Sequence, residues 1–325
     1  MRERDPLGAL SLVLRSVDAP RNPRAVFALL GTFAVAGLLA SMAEASFARP
    51  DAGTAWAWLQ ATAALLAAFY GGNTVGVLVM DQARGRSVRE VPAALRTALG
   101  SAHRLLLALG LVLGAAALGA GLLVGLFWLS RVSVSGALLG PVLFGGLVPL
   151  GVLTVGLAAL TLLAVIVPLA APAVWSGASA TQVVARLSGL VRQRFLTVLL
   201  LMAVVSGLTA GAGAIASFVV MTGGRVVAEL GVRVVGVDVP APLLMAGLSG
   251  RGLRSLGAAG APSGATGHAA AALVGGGVVF ALVLLLPGLV YLRGTCAVYL
   301  ALSDDRDDRD DRDDRADPAD PLPTA

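Results

Sequence analysis

Six stretches of this chain, near 25 to 43, 56 to 80, 105 to 129, 142 to 172, 195 to 221 and 269 to 292, are apolar for about the length of a bilayer crossing. A hydrocarbon layer of ~30 Å takes roughly 20 helical residues. Only helices and closed barrels satisfy their backbone groups in lipid, and barrel strands alternate in polarity where these runs do not. The expectation is an all-α integral membrane protein with six transmembrane helices. The composition agrees, with 57% hydrophobic and only 13% charged residues, far from the mixture of a soluble domain.

The fourth run is the hardest to place. From Gly136 to Ala173 the text is too long for one crossing and short for two, and Pro141, Pro149, Pro168 and Pro172 punctuate it. It reads as a segment from Ala137 to Val148 that is folded on the outer face or re-entrant, followed by a crossing centred near Leu160. A seventh span would reverse everything after it, and charge argues against that. All 24 basic residues are arginines, and with six spans the side holding both termini carries eighteen of them against six. The positive-inside rule then predicts cytoplasmic termini in the cell membrane, with span one as a retained anchor in place of a cleaved signal.

Between spans the text is patterned. In "GRSVREVPAALRTALGSAHRLLLALG", residues 85 to 110, Val88, Val91, Leu95, Ala98, Leu99 and Ala102 fall on one helical face, while Arg89, Arg96 and His103 stack on another. Ser87 and Glu90 have capping-box spacing, although Pro92 moves the expected start toward Glu90. "SATQVVARLSGLVRQRFLTVLLLMAVV", residues 179 to 205, repeats the device with Ser179 and Gln182, and with Val183, Val184, Leu187, Leu190 and Val191 on one face. Before span one, Leu7, Leu10, Leu14 and Val17 show the same interval, with Arg15 and Asp18 away from them. Leu14-Arg15-Ser16, Leu95-Arg96-Thr97 and Leu187-Ser188-Gly189 occupy matching places. The expected plan is three parallel repeats, about 7–80, 87–172 and 179–292. Each is an interfacial amphipathic helix followed by a transmembrane hairpin, together making a domain over 1–303.

The arginines of these helices, Arg89, Arg96, Arg104, Arg186, Arg192 and Arg194, are the expected contacts for lipid headgroups. Each contributes roughly 1 kcal/mol near an anionic surface, enough to orient a helix. The "RNP" of Arg21 to Pro23 leading into span one, with "VREVPAALRTALGSAHRLL" and "ATQVVARLSGLVRQRFLTV" leading into later spans, resembles the polytopic proteins grouped with the glycerophosphodiester phosphodiesterase membrane domain. The resemblance covers most of residues 7 to 300. It implies a six-span bundle that accompanies hydrolysis without performing it. The chain departs from such fusions in having no soluble catalytic domain after span six, and His103 and His268 are its only histidines, too few for the expected metal ligands.

Catalytic, cofactor and metal sites are not expected. A lone Cys296 excludes an intramolecular disulfide and reads as a small apolar residue near a helix end. No charge falls at mid-span, and Glu44 and Asp81 read as solvated boundary residues. The most polar spot inside a span is Tyr70 to Thr74, "YGGNT". Tyr70, Asn73 and Thr74 form either an intramembrane polar site on a broken helix or a packing motif, with Gly71 and Gly72 in close approach and Asn73 bonding to a neighbour. Gly110 with Gly114, Gly121 with Gly125, and Gly207 with Gly211 predict tightly approached helices.

Residues 222 to 267 form the longest outer loop, opening on a surface helix or short hairpin and closing on a linker. Residues 304–325, with four Asp-Asp-Arg copies, net minus six against plus eleven for the rest and are expected to be a disordered cytoplasmic tail. The functional expectation is a non-enzymatic scaffold or accessory membrane protein with headgroup contact. The alternative is a small transporter or permease subunit using Asn73. The lipid bilayer, with another membrane protein or anionic lipid, is the expected partner, and nucleic acid is not.

Overall fold

The computed structural model describes residues 6–47, 54–132, 139–235 and 267–313, and among these every element is helical. Helix α1 (Pro6–Leu14) passes into a 3₁₀ segment (Arg15–Arg21), followed by α2 (Pro23–Phe47), α3 (Thr54–Ala83) and α4 (Val91–Val132). Helix α5 (Leu139–Thr161), a π turn (Leu162–Ile166) and α6 (Val167–Trp175) form one helical run. Then come α7 (Ala180–Leu230), a π turn (Gly231–Val235) and α8 (Gly267–Asp313). Six of these helical runs are long and apolar enough to cross a membrane: Pro23–Phe47, Thr54–Ala83, Val91–Leu129, Gly140–Trp175, Ala180–Leu230 and Gly275–Ser303. The chain is an all-α, six-span membrane protein.

Span four is simpler than its prolines suggest. Leu139 to Val148 belongs to the same run as the crossing, so no separate outer or re-entrant piece exists there. Pro141 lies in the first turn of α5, where its missing N–H leaves no gap. The π turn opens the backbone ladder immediately before Pro168, a residue that cannot donate to it.

The amphipathic segments also differ from the sequence reading. Helix α4 starts at Val91, with the Ala94 N–H bonded to the Glu90 carbonyl at 3.0 Å, so Ser87 lies outside the helix and caps nothing there. In α7 the capping box does form: the Ser179 N–H donates to Gln182 Oε1 at 2.9 Å and the Gln182 N–H to Ser179 Oγ at 3.4 Å. The first segment is α-helical through Leu14, as expected, and continues as 3₁₀ from Arg15. From the end of α1 through this 3₁₀ turn, the buried residues Val13, Ser16, Ala19 and Asn22 recur every third position, while Leu14 and Val17 are exposed. Along the amphipathic start of α4, Ala94, Ala98 and Ala102 are buried, followed by Leu105 and Ala108, while Leu95 and Leu99 are exposed.

The two structured turns end their helices in the same way. Gly85, at φ 66°, lets its N–H reach the Gln82 carbonyl (3.1 Å) and the Arg86 N–H reach that of Asp81 (3.0 Å). Gly177, at φ 103°, does the same with Val174 (2.9 Å) and, through the Ala178 N–H, with Ala173 (3.3 Å). Both are Schellman turns, which require the left-handed conformation that glycine adopts without cost. The link to the next helix is longer after Gly85 than after Gly177. Leu95 and Leu187 each lie ten residues past their turn glycine, yet Leu187 is buried where Leu95 is exposed.

Two compact units divide the chain. One comprises Leu14–Leu99 and Val204–Gly294, the other Met1–Val13, Gly100–Ala203 and Thr295–Ala325. In the first unit every residue from Asn73 to Asp81 is buried, so the end of α3 is covered on all sides, whereas its first half buries only Ala57, Gln60 and Ala64. In the second, most of Pro168–Val174 and all of Thr295–Tyr299 are buried. Burial thus concentrates where spans two, four and six end. Gly71 lies against α2, where an added Cβ would collide with the Thr32 side chain; Gly72 has open space. Gly294 is as tight against Val205, at 2.7 Å. The glycine pairs in α4 and at Gly207 and Gly211 have nothing within 4 Å, so the close approaches fall elsewhere than expected.

Two further expectations are revised. Helix α7 carries on through the start of the outer loop to Leu230, and a π turn follows; residues 236–266 lie outside the described residues. Helix α8 continues through three Asp-Asp-Arg copies to Asp313, where an irregular tail is expected. The repeat puts Asp305 and Arg309 four residues apart, a spacing that supports a helix.

Candidate functional site at the arginine-rich helix ends

The polar chemistry of the first unit gathers where α2 begins and α3 ends. Asn22 caps α2 ahead of Pro23, accepting the Ala25 N–H on Oδ1 at 3.2 Å, while its amide donates to the Leu78 carbonyl at 3.4 Å. One side chain therefore satisfies an orphan donor and ties two spans together, which accounts for Asn-Pro at this point of the sequence. Beside it, Arg24 Nη1 donates to the Val88 carbonyl in the link after the Gly85 turn.

Asp81 is the centre of this cluster, and it is not the solvated boundary residue that its position suggests. It is 5% exposed, because the end of α3 is enclosed. Arg89 neutralises it side-on, with Nε to Oδ2 at 2.7 Å and Nη2 to Oδ1 at 2.8 Å, and adds its backbone N–H to Oδ2 at 3.4 Å. The third arm, Nη1, donates to Thr97 Oγ1 at 3.1 Å, and that hydroxyl donates to the Ala93 carbonyl. The hydrogen bonds to Asp81 raise the Arg89 pKa above the ordinary arginine range, against the opposing effect of burial.

A second cluster occupies the other unit, where α6 ends and α7 begins. Arg186 Nη1 donates to the Tyr299 hydroxyl at 3.0 Å, and Ser176 Oγ lies 3.3 Å from the same oxygen. Ser176 already donates to the Ala173 carbonyl at 2.7 Å, so the tyrosine proton points to the serine. Tyr299 is 2% exposed, whereas Arg186 opens to the surroundings. No Asp or Glu occurs between Glu90 and Glu229, which leaves the start of α7 without a carboxylate of its own.

The other expected arginines are spread along the two helices. Arg96 is exposed between exposed Leu95 and Leu99, Arg104 is half-buried, and Arg192 is exposed. Arg194 is half-buried at a break in α7, where φ −139° and ψ 27° leave helical geometry. Thus Arg89 and Arg186 are fixed by side chains from the buried span ends, and Arg96 and Arg192 are open. Thr97 and Tyr299 are not evident from the sequence because they lie eight and over a hundred residues from the arginines they touch, and Ser176 joins the second cluster only through Tyr299.

In the polar stretch of span two, α3 runs unbroken from Thr54 to Ala83, contrary to a broken-helix site. The Asn73 amide donates to the Phe69 carbonyl and the Thr74 hydroxyl to that of Tyr70, each at 2.8 Å. Tyr70 is half-buried, its ring edge-on to Phe69 with centroids 5.3 Å apart. Among the described residues no group of three His, Cys, Asp or Glu could hold a metal.

The chain matches no family model, no curated protein and no solved structure. Its own geometry is what supports a functional reading.

Proposed function

We propose that the chain is a non-enzymatic scaffold or accessory protein of the cell membrane, with both termini cytoplasmic and its arginine-rich helix ends against lipid headgroups. The observation that carries this reading is the use made of polarity in the spans. Asn73 and Thr74 bond back into an unbroken α3, and Asp81 is enclosed and neutralised by Arg89. Polar groups set for transport instead line a cavity on unwound backbone. The three buried span ends, each followed or approached by arginines, support a plan of three parallel hairpins with interfacial openings. Exposed Arg96 beside exposed Leu95 and Leu99 suits a helix lying at the headgroup level. The likeness to the membrane domain accompanying glycerophosphodiester phosphodiesterases belongs to this proposal for the bundle alone, with no hydrolytic role.

Flux of ions and small solutes through purified protein in liposomes tests the reading. The expected result is no saturable uptake, together with a specific membrane partner recovered by crosslinking in native membranes. Saturable uptake abolished by Asn73→Leu would instead establish a permease.

A further inference from the structure

Arg89 and Arg186 both belong to arginine-bearing segments that follow a Schellman turn, yet their partners differ in charge. Arg89 grips a carboxylate, and two of its nitrogens are occupied by Asp81 and a third by Thr97. Arg186 is held at one nitrogen by a buried neutral phenol, itself oriented by Ser176. A neutral oxygen supplies no counter-charge to a guanidinium, and the rest of the planar fork is geometrically able to pair with a second acceptor. It is also exposed, and Arg192 follows on the same arm with no carboxylate nearby in sequence.

We propose that Arg186, pre-oriented by Tyr299, is a binding site for the phosphate of an anionic phospholipid, and that the headgroup preference of the chain resides on the α7 arm (Ala180 to Gln193). The inference rests on the headgroup contact proposed above and narrows it to one arginine and one positioning tyrosine. Helix α7 leaves helical geometry at Arg194, which separates the arm from the crossing that follows. Arg89 is excluded from the site by Asp81. The chemistry selects phosphate because the fork pairs with two phosphate oxygens in the plane of the guanidinium. The lipid, as opposed to free phosphate, is the source because the arm leads directly into span five.

Native mass spectrometry of the full chain in nanodiscs of mixed phosphatidylglycerol and phosphatidylcholine reads the preference directly. Wild type is expected to retain phosphatidylglycerol. Arg186→Gln should lower that preference about fivefold, as loss of one interfacial cation implies. Tyr299→Phe should lower it while the charge is unchanged, and Arg186→Lys should restore only part, having charge without the fork. Arg96→Gln should leave most of it. Millimolar inorganic phosphate should not displace the lipid. Loss in Arg96→Gln but not in Arg186→Gln would overturn this site while keeping headgroup contact elsewhere. No preference in wild type would remove both readings. Displacement by inorganic phosphate would overturn the lipid as the ligand. Thermal melts of Tyr299→Phe guard the comparison: a preference that Tyr299→Phe, folded like wild type, fully retains rules out the positioning role.

Discussion

Asp81 carries the largest consequence of any single side chain. Its carboxylate is 7% exposed and its partner Arg89 is 38% exposed. Breaking a fully buried pair costs about 3–5 kcal/mol and an exposed one at most about 1, so Arg89→Gln should destabilise by roughly 2 kcal/mol. Denaturant titration in bicelles should show this loss, with Arg96→Gln near zero. Equal small effects for both arginines would mean that the pair does not hold the corner. The raised Arg89 pKa places the loss of its charge beyond the ordinary arginine range. The folded state binds that proton more tightly than the unfolded state, so the stabilisation is complete below the unfolded value and fades only in strong alkali. Between pH 6 and 9, on the order of three units, Arg89 therefore contributes no slope to stability. Gly71 gives a second test at this scale. A Cβ there meets Thr32, whose hydroxyl is tied to the Ala28 carbonyl and whose branched side chain is stiff. Gly71→Ala should cost about 1–3 kcal/mol and Gly72→Ala much less, read as the difference in unfolding midpoint.

At the scale of elements, the six spans and the capping box at Ser179 are legible because they rest on length and local bonding. The inward faces are not. In water a helix turns leucine to the core, but lipid tails are as apolar as leucine, so packing selects small residues that let helices approach. Hence the start of α4 buries Ala94, Ala98 and Ala102 and leaves Leu95 and Leu99 outside, so that of the stripe the periodicity picks out the alanines are packed and the leucines are not. Ala98→Leu should then destabilise by about 1–3 kcal/mol through overpacking, while Leu99→Ala should be close to neutral in the same titration. The opposite order would restore the leucine face as the packed one. Of the two readings of span two, the broken helix is the one α3 does not adopt, for a related reason. Asn and Thr can bond to the carbonyl four residues back, so polar text inside a span does not require unwound backbone. The two arginine clusters were half legible: the arginines stand out, but Asp81 and Tyr299 reach them through tertiary packing that no spacing announces.

For the whole molecule, the proposed topology puts every arginine-rich helix end on one side of the bilayer. Eighteen of the 24 arginines fall there in a six-span arrangement, and burial concentrates where spans two, four and six finish. A single long run for span four, with no second crossing at Leu139 to Val148, is what preserves that parity. Accessibility of single cysteines in intact and permeabilised cells measures it most directly. Arg96→Cys and Arg186→Cys should react with a membrane-impermeant thiol reagent only after permeabilisation, and Arg233→Cys should react in intact cells. Reaction of positions 96 and 186 from opposite sides would contradict the account.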